Sequence, residues 1–280
     1  MNDARAPENE QHALWNGPAA QAWIDARDLL DNAFRPFEDL LVEAAVTSGG
    51  GHVLDVGCGT GRTTLAIARQ VGPAGRALGL DISEPMIAVA RARAAEEGLA
   101  AAFIAADAET HRFAPPRFDA IVSRFGVMFF GDPVRAFANL RLAARKDAAL
   151  TCIVWRSAAE TPFMTTAERA AAPLLPSIPS RRTDGPGQFA WADERKVARI
   201  LVDSGWSGID IAPLDVTCAF PRSELDRYVT RLGPLGQVLR DADEATRSRV
   251  TDVVTTAFAP FVEGHEVRFT AACWLVRARA

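Results

Sequence analysis

The sequence predicts a doubly wound α/β fold: a seven-stranded, mostly parallel sheet with a reversed last strand, flanked by helices and carrying helical lid insertions. Three observations lead there. Short apolar runs alternate with helix-like stretches between residues 52 and 155. A glycine-rich turn, Gly57-Cys58-Gly59-Thr60-Gly61, separates the first such run from the helix after it. Aspartates close the successive strands, at the edge where open α/β sheets bind ligands.

The elements follow in order. Residues 1–11 are polar and acidic and are expected to be loosely attached. From Trp15 to Val46 apolar residues recur at helical spacing (Trp23, Leu29, Leu30, Phe34, Phe37, Leu40, Leu41) with a break near Pro36, which predicts two helices. Gly49-Gly50-Gly51 punctuates the chain before strand one, residues 52–56. The glycine turn leads into a helix from about residue 61 to 70, closed by Gly72. Strand two, residues 76–80, ends at Asp81. Ser83 then suits an N-cap, Pro85 a first turn, and Gly98 a helix end. Strand three covers residues 101–105 and ends near Asp107; strand four covers 118–122 and runs into Ser123-Arg124-Phe125. Asp132-Pro133 opens a helix through about Ala144, and strand five covers 148–155.

Beyond this point the alternation stops. Residues 157–190 combine a short helix with a Pro/Ser/Arg/Gly-rich stretch from Pro173 to Gly187, the composition of an inserted loop or lid. A helix over 193–204, a strand over 208–217, a second helical insertion over 223–259 and a closing strand over 266–277 complete the reading. The expected layout is a single domain over 1–280, with its core at about 40–156, 190–218 and 264–280. Cap or lid elements are expected at about 12–39, 157–189 and 219–263.

Bulk composition excludes several classes. The chain has 280 residues, 49% of them hydrophobic, and a formal net charge of -4, which gives no strongly basic face for nucleic acid. The cysteines, Cys58, Cys152, Cys218 and Cys273, form no CxxC pair. The histidines, His12, His52, His111 and His265, are scattered without HExxH spacing, so no metal site is expected. MNDARAPENEQ precedes no apolar stretch of signal-peptide type, and no run approaches the ~18 apolar residues of a membrane span. A reducing, cytoplasmic setting is expected.

The stretch Val53-Leu54-Asp55-Val56-Gly57-Cys58-Gly59-Thr60-Gly61 is the most informative. Glycines serve where backbone enters φ > 0 or meets a ligand that a Cβ would block, and the following helix start offers free N–H groups. A dinucleotide fingerprint, G-x-G-x-x-G, would put its third glycine on Arg62, and the match fails there. Asp55, two residues before Gly57, would also repel a pyrophosphate; it suits a ligand that carries an ammonium.

Asp55-x-Gly57-x-Gly59-x-Gly61 resembles the glycine-rich motif of class I S-adenosylmethionine (SAM)-dependent methyltransferases, closest to the ubiquinone/menaquinone-biosynthesis-like small-molecule enzymes. The resemblance covers residues 40–156 well and the remainder weakly. It implies a Rossmann-like methyltransferase fold with SAM as cofactor, held by Asp55, Gly57, Cys58, Gly59 and Gly61. It implies that Asp81 accepts the ribose hydroxyls, that Ile82 and Met86 pack on the adenine, and that Asp107-Ala108 bonds the adenine edge. Ser123 would lie beside the sulfonium. Asp81 could instead cap a helix with Ser83, Asp55 could orient the loop, and Asp107 could be a plain loop residue.

Trp15 and Trp23 read either as core or as an aromatic lid that attracts the sulfonium. Arg124, Phe125 and Met128 read either as buried core and a surface ion pair or as an acceptor pocket, in which Arg124 holds an anionic group. His265, Tyr228 and His111 are the candidates for a general base, and SN2 transfer needs chiefly positioning and exclusion of water. No catalytic residue is assigned. The expected partner is a small, largely apolar acceptor methylated on O, N or C, with no nucleic acid; the base-methylation motif Asn-Pro-Pro-Tyr is absent, and a homodimer is compatible with this reading. The alternatives are a SAM-binding protein that transfers no methyl group and a nicotinamide-dependent oxidoreductase using the same Asp81.

Overall fold

Four short helices occupy the N-terminal stretch where periodicity predicts two: α1 (Pro7–Trp15), α2 (Pro18–Asp25), α3 (Arg27–Ala33) and α4 (Arg35–Thr47). The additional breaks have local causes. Gly17-Pro18 interrupts the ladder, and Ala26 (φ -89°, ψ 5°) and Phe34 (φ -100°, ψ 13°) take the bridge conformation that ends a helix. The computed structural model describes residues 7–47, 49, 51–113, 117–179, 181 and 185–280. The loose attachment expected of residues 1–11 therefore falls outside the described residues at 1–6, whereas α1 is helical from Pro7.

The α/β core then follows the expected order: β1 (His52–Val56), α5 (Arg62–Val71), β2 (Arg76–Asp81), α6 (Glu84–Glu96), β3 (Ala101–Ala105), β4 (Phe118–Arg124), α7 (Pro133–Ala143) and β5 (Ala144–Trp155). Ser83 caps α6 by accepting from Met86 N, and Asp132 caps α7 by accepting from Arg135 N. β1 and β4 are buried along nearly their whole length, because helices cover both faces of the sheet. α4 places Phe37, Leu41 and Ala45 against one face, while Ile87, Ala90 and Ala94 of α6 meet Phe103 on the flank.

The second half of the chain adds α8 (Phe163–Ala171), α9 (Glu194–Asp203), β6 (Ser207–Pro221), α10 (Leu225–Arg231), α11 (Gly233–Arg240), α12 (Glu244–Ala257), β7 (Val262–Glu263) and β8 (Glu266–Arg279). The sheet has order β3-β2-β1-β4-β5-β8-β6, with β7 paired to β8, so it counts eight strands rather than the expected seven. The eighth is a two-residue arm that turns back on β8 at Glu263↔Glu266. β8 runs antiparallel to both β5 and β6, the expected reversal. β6 extends beyond the predicted 208–217 because β8 offers it a partner as far as Pro221↔Glu266.

Strand order reverses direction between β1 and β4, so the crossovers diverge there and leave a crevice at the strand C-termini. Register brings the ends together: Val56 lies beside Leu80, Asp81 beside Ala105, and Arg124 beside Ile153. A roof of α8, α10 and α12 stands over this edge around Phe163, whose ring stacks on Phe269 at 3.8 Å.

Candidate functional site

The crevice holds a cavity of about 260 Å³ floored by the glycine loop. Gly57, Gly59 and Gly61 all take left-handed φ (69°, 55° and 85°). Gly57 has a second constraint: an added Cβ would stand 2.5 Å from Gly126 Cα. The loop after β1 and the turn after β4 thus touch through bare backbone. Gly61 serves packing instead, since a Cβ there would stand 2.9 Å from both Ala90 and Phe103. It caps α5 but does not line the cavity, a correction to the reading that puts all three glycines against a ligand.

Asp55 is 2% exposed, and its Oδ2 accepts the Thr64 hydroxyl at 2.6 Å, which ties β1 to the first turns of α5. Burial raises its pKa from 3.8 to about 6, against the lowering effect of the Thr64 bond and of Arg124; the Asp81 charge adds to the rise. A carboxyl whose folded pKa is raised favours the fold when protonated. That contribution is present below 3.8 and lost as pH climbs to about 6. Above that, ionised Asp55 costs on the order of 2–3 kcal/mol. Asp55→Asn keeps an oxygen for Thr64 and removes the cost. Its stability relative to wild type should therefore rise between about pH 4 and about pH 7 and then level off, as read from urea titrations. A difference independent of pH would refute the assignment.

Asp81 lies at the end of β2, one residue beyond the predicted strand. Its Oδ2 accepts from Gly59 N at 2.8 Å and its Oδ1 from Ser83 N at 2.9 Å. Burial raises its pKa, and these backbone bonds oppose the rise. One carboxylate thus fastens both neighbouring turns, and each oxygen keeps lone-pair capacity towards the cavity. Ile82, Met86, Asp107 and Ala108 line the same end. Asp107 Oδ1 accepts from Glu109 N at 2.8 Å, which shapes the turn after β3. Cys58 lines the cavity as a thiol whose pKa is driven well up by burial. All four cysteines are free and buried.

The N-terminal helices close the near side. Trp15 lines the cavity edge-on to Phe129 (5.1 Å) and to Trp23 (6.0 Å). Next to it, Asn16 donates Nδ2 to Ile82 O and accepts at Oδ1 from Glu84 N, both at 3.0 Å. This side chain clips the helix joint onto the turn that carries Asp81. Nothing in the periodicity singled it out.

The far side is apolar. Phe125 stacks on Trp155 (4.6 Å, 9°) and meets Phe34 and Phe37 edge-on; Met128, Phe163 and Phe258 continue the wall. Phe125 is held at φ 66°, a strained conformation for a bulky side chain, with its N–H bonded to Ile153 O. Tyr228 lines this wall with its hydroxyl 3.6 Å from Met164 Sδ, and burial pushes its phenol pKa up. It therefore stays protonated, suited to donate a hydrogen bond and not to remove a proton. At the end of the wall Arg181 donates to Glu168 and Gln188.

Three of the singled-out residues lie elsewhere. Ser123 is fully buried and donates to Val56 O at 2.8 Å; strand alternation turns it away from the cavity while Arg124 turns in. His265 is exposed in the β7–β8 turn, and His111 packs on Phe113; neither reaches the cavity. Among the described residues no cluster of His, Cys, Asp and Glu could hold a metal, and no helix is long and apolar enough to cross a membrane. The residues that sequence reasoning missed (Asn16, Asp31, Gly126, Trp155, Phe163) carry no motif, and only their neighbours give them a role.

The chain is similar to known proteins in sequence and in fold. Residues 53–147 match the family model described as a methyltransferase domain. An uncharacterized protein of Mycobacterium tuberculosis is 30% identical over 188 residues, which is 66% of this chain and 64% of that protein. A demethylmenaquinone methyltransferase of Renibacterium salmoninarum is 28% identical over 190 residues, 65% of this chain and 77% of that protein. The YcgJ protein of Bacillus subtilis has the same fold, with a TM-score of 0.57 at 16% identity over 86% of this chain and 97% of that one. The chain thus spans less than two thirds of the length of its mycobacterial relative.

Proposed function

The chain belongs to the class I SAM-dependent methyltransferase superfamily, and from that premise we propose that it transfers the methyl group of SAM to an oxygen, nitrogen or carbon atom of a small, hydrophobic or aromatic metabolite. One observation carries this reading: left-handed Gly57 and Gly59 and the carboxyl groups of Asp55, Asp81 and Asp107 line one side of a cavity whose far wall is largely aromatic. An adenosyl amino acid fits that donor set. Asp81 would take the ribose hydroxyls, Ile82 and Met86 the adenine faces, and Asp107-Ala108 the adenine edge. Gly57, Cys58 and Gly59 would lie along the remainder, under Trp15.

When bound, SAM would supply an electrophilic methyl group: an acceptor lone pair would form the new bond to that carbon as the carbon–sulfur bond breaks, and S-adenosylhomocysteine would leave with the bonding pair. The residues then have three tasks. Phe125, Met128 and Trp155 orient the acceptor against the β4 end; α1 and α2 exclude water from above; and the hydroxyl of Tyr228 offers a hydrogen bond to a polar atom of the acceptor. No dedicated base is assigned, so the acceptor is either acidic enough to ionise or carries a lone pair already. The name of the Renibacterium relative, a demethylmenaquinone methyltransferase, supports the same substrate class. We further propose the division into a cofactor-holding sheet edge and a substrate-selecting roof.

Calorimetry tests the cofactor first. S-adenosylhomocysteine should give a saturable heat where NADH gives none, because the loop lacks the third glycine of the dinucleotide fingerprint. Incubation with SAM and a panel of phenols, quinols and amines, followed by mass spectrometry, should then show S-adenosylhomocysteine formed with at least one acceptor. Heat with NADH alone, or SAM left intact with every acceptor, overturns the proposal.

A further inference from the structure

Under the roof the apolar wall of the cavity is interrupted by one polar cluster, assembled from three separate segments: Met164 and Glu168 on α8, Arg181 and Gln188 in the loop before α9, and Tyr228 on α10. Arg181 holds Glu168 through two parallel bonds, Nη2 to Oε1 at 2.7 Å and Nε to Oε2 at 3.2 Å, with the two side chains 21% and 16% exposed. The same guanidinium donates Nη2 to Met164 O at 3.0 Å and Nη1 to Gln188 Oε1. A shielded ion pair is by itself a weak source of stability. This one orients Gln188. A guanidinium has only N–H groups to offer, so the amide oxygen must face it and Nε2 must turn away. Nε2 then carries two N–H groups that meet no acceptor among the described residues. Gln188 lines this cavity alone, whereas Glu168 and Arg181 also border a second cavity beside α8. The Tyr228 hydroxyl, kept protonated by burial, faces only the weak acceptor Met164 Sδ at 3.6 Å.

We propose that Gln188 Nε2 and Tyr228 O–H are the specificity-determining donors for the acceptor, receiving a carbonyl oxygen on the part of it that lies under the roof, with Arg181 as the residue that positions Gln188. The inference rests on the methyltransferase reading and narrows its substrate class from an apolar or aromatic metabolite to a carbonyl-bearing one. Both donors stand among apolar walls, where covering them with hydrocarbon leaves each without a partner and without water. A site of that kind rejects an analogue that lacks the bonding group. A neutral carbonyl is favoured over a carboxylate, because Glu168 already matches the Arg181 charge and would repel a second anion.

The test compares two phenols on one bicyclic skeleton, 5-hydroxy-1-tetralone and 5-hydroxytetralin, which differ only by a ring carbonyl. S-adenosylhomocysteine saturates the protein throughout, so no transfer occurs. Calorimetry on wild type is expected to show the ketone bound about 10–100-fold more tightly. Gln188→Glu keeps an oxygen for Arg181 but loses the N–H donors, and the preference should fall to about threefold or less through weaker ketone binding. Tyr228→Phe should reduce the preference by about 3–10-fold. Arg181→Lys keeps the charge beside Glu168 but lacks the fork that also holds Gln188, and should reduce it by a similar factor. Affinity for 5-hydroxytetralin and for S-adenosylhomocysteine should stay within about twofold in all three variants, which shows that the roof has kept its fold. Equal binding of the two phenols by wild type, a preference that survives Gln188→Glu, or a parallel loss of both phenols overturns the inference. Wild type that takes S-adenosylhomocysteine but neither phenol refutes the aromatic-acceptor reading, and wild type that takes no S-adenosylhomocysteine refutes the methyltransferase reading itself.

Discussion

Asp81→Ala is expected to bind S-adenosylhomocysteine about 10–150-fold more weakly than wild type, the loss given by one or two charge-assisted hydrogen bonds. The structure puts two separate contributions behind that number. The Asp81 carboxylate lines the cavity at the end of β2, where a ribose would present two hydroxyl donors. The same oxygens hold Gly59 N and Ser83 N, so the alanine variant also frees the middle of the glycine loop and the start of α6. Asp81→Asn separates the two, because its single amide oxygen can hold only one of the turns well. It should fall between wild type and alanine. The pH dependence has a definite sign. Burial raises the carboxyl pKa, whereas hydroxyl donors favour the ionised form, so affinity should be full above the raised pKa and decline as pH falls through it. Equal affinity of wild type and Asp81→Ala in calorimetry would sink the assignment.

Phe163→Ala should cost about 3–5 kcal/mol of stability, the range for removing a buried aromatic ring. The ring is 1% exposed, stacks on Phe269 at 3.8 Å and 4°, and meets Phe220, Tyr228, Phe258 and Phe261 within 6.2 Å. Those partners belong to β6, β8, α10 and the turn after α12, so one side chain on α8 joins both insertions to the sheet. None of these partners lies on β1, β2 or β3. Urea unfolding should show the full loss, while affinity for S-adenosylhomocysteine changes by less than about tenfold. A loss below about 1 kcal/mol would mean that the roof does not depend on this cluster.

The two experiments probe regions that differ in how far the sequence revealed them. Strands and helices between residues 52 and 155 follow from local periodicity, from caps at Ser83 and Asp132 and from glycine breaks, and their ends fall within a few residues of expectation. The acids at the strand ends are legible for the same reason: a strand's last residue and the turn after it are fixed by sequence neighbours. The roof is legible only as an insertion. Its aromatic cluster joins residues 163, 220, 228, 258 and 269, which no period connects. The N-terminal helices show a similar limit, since apolar spacing gives helical faces but not the breaks at Gly17, Ala26 and Phe34.

The sequence by itself determined the doubly wound sheet, the glycine turn with its left-handed positions, and the aspartates that rim the crevice, because each depends on contacts within a few residues. Tertiary structure alone decided which of Ser123 and Arg124 faces the cavity, which glycine contacts backbone rather than side chain, and that Asp31 meets Arg93 and Arg124. The physical reason is that a strand offers its two faces with equal ease, and a buried charge acquires meaning only from partners that the fold brings to it from far along the chain.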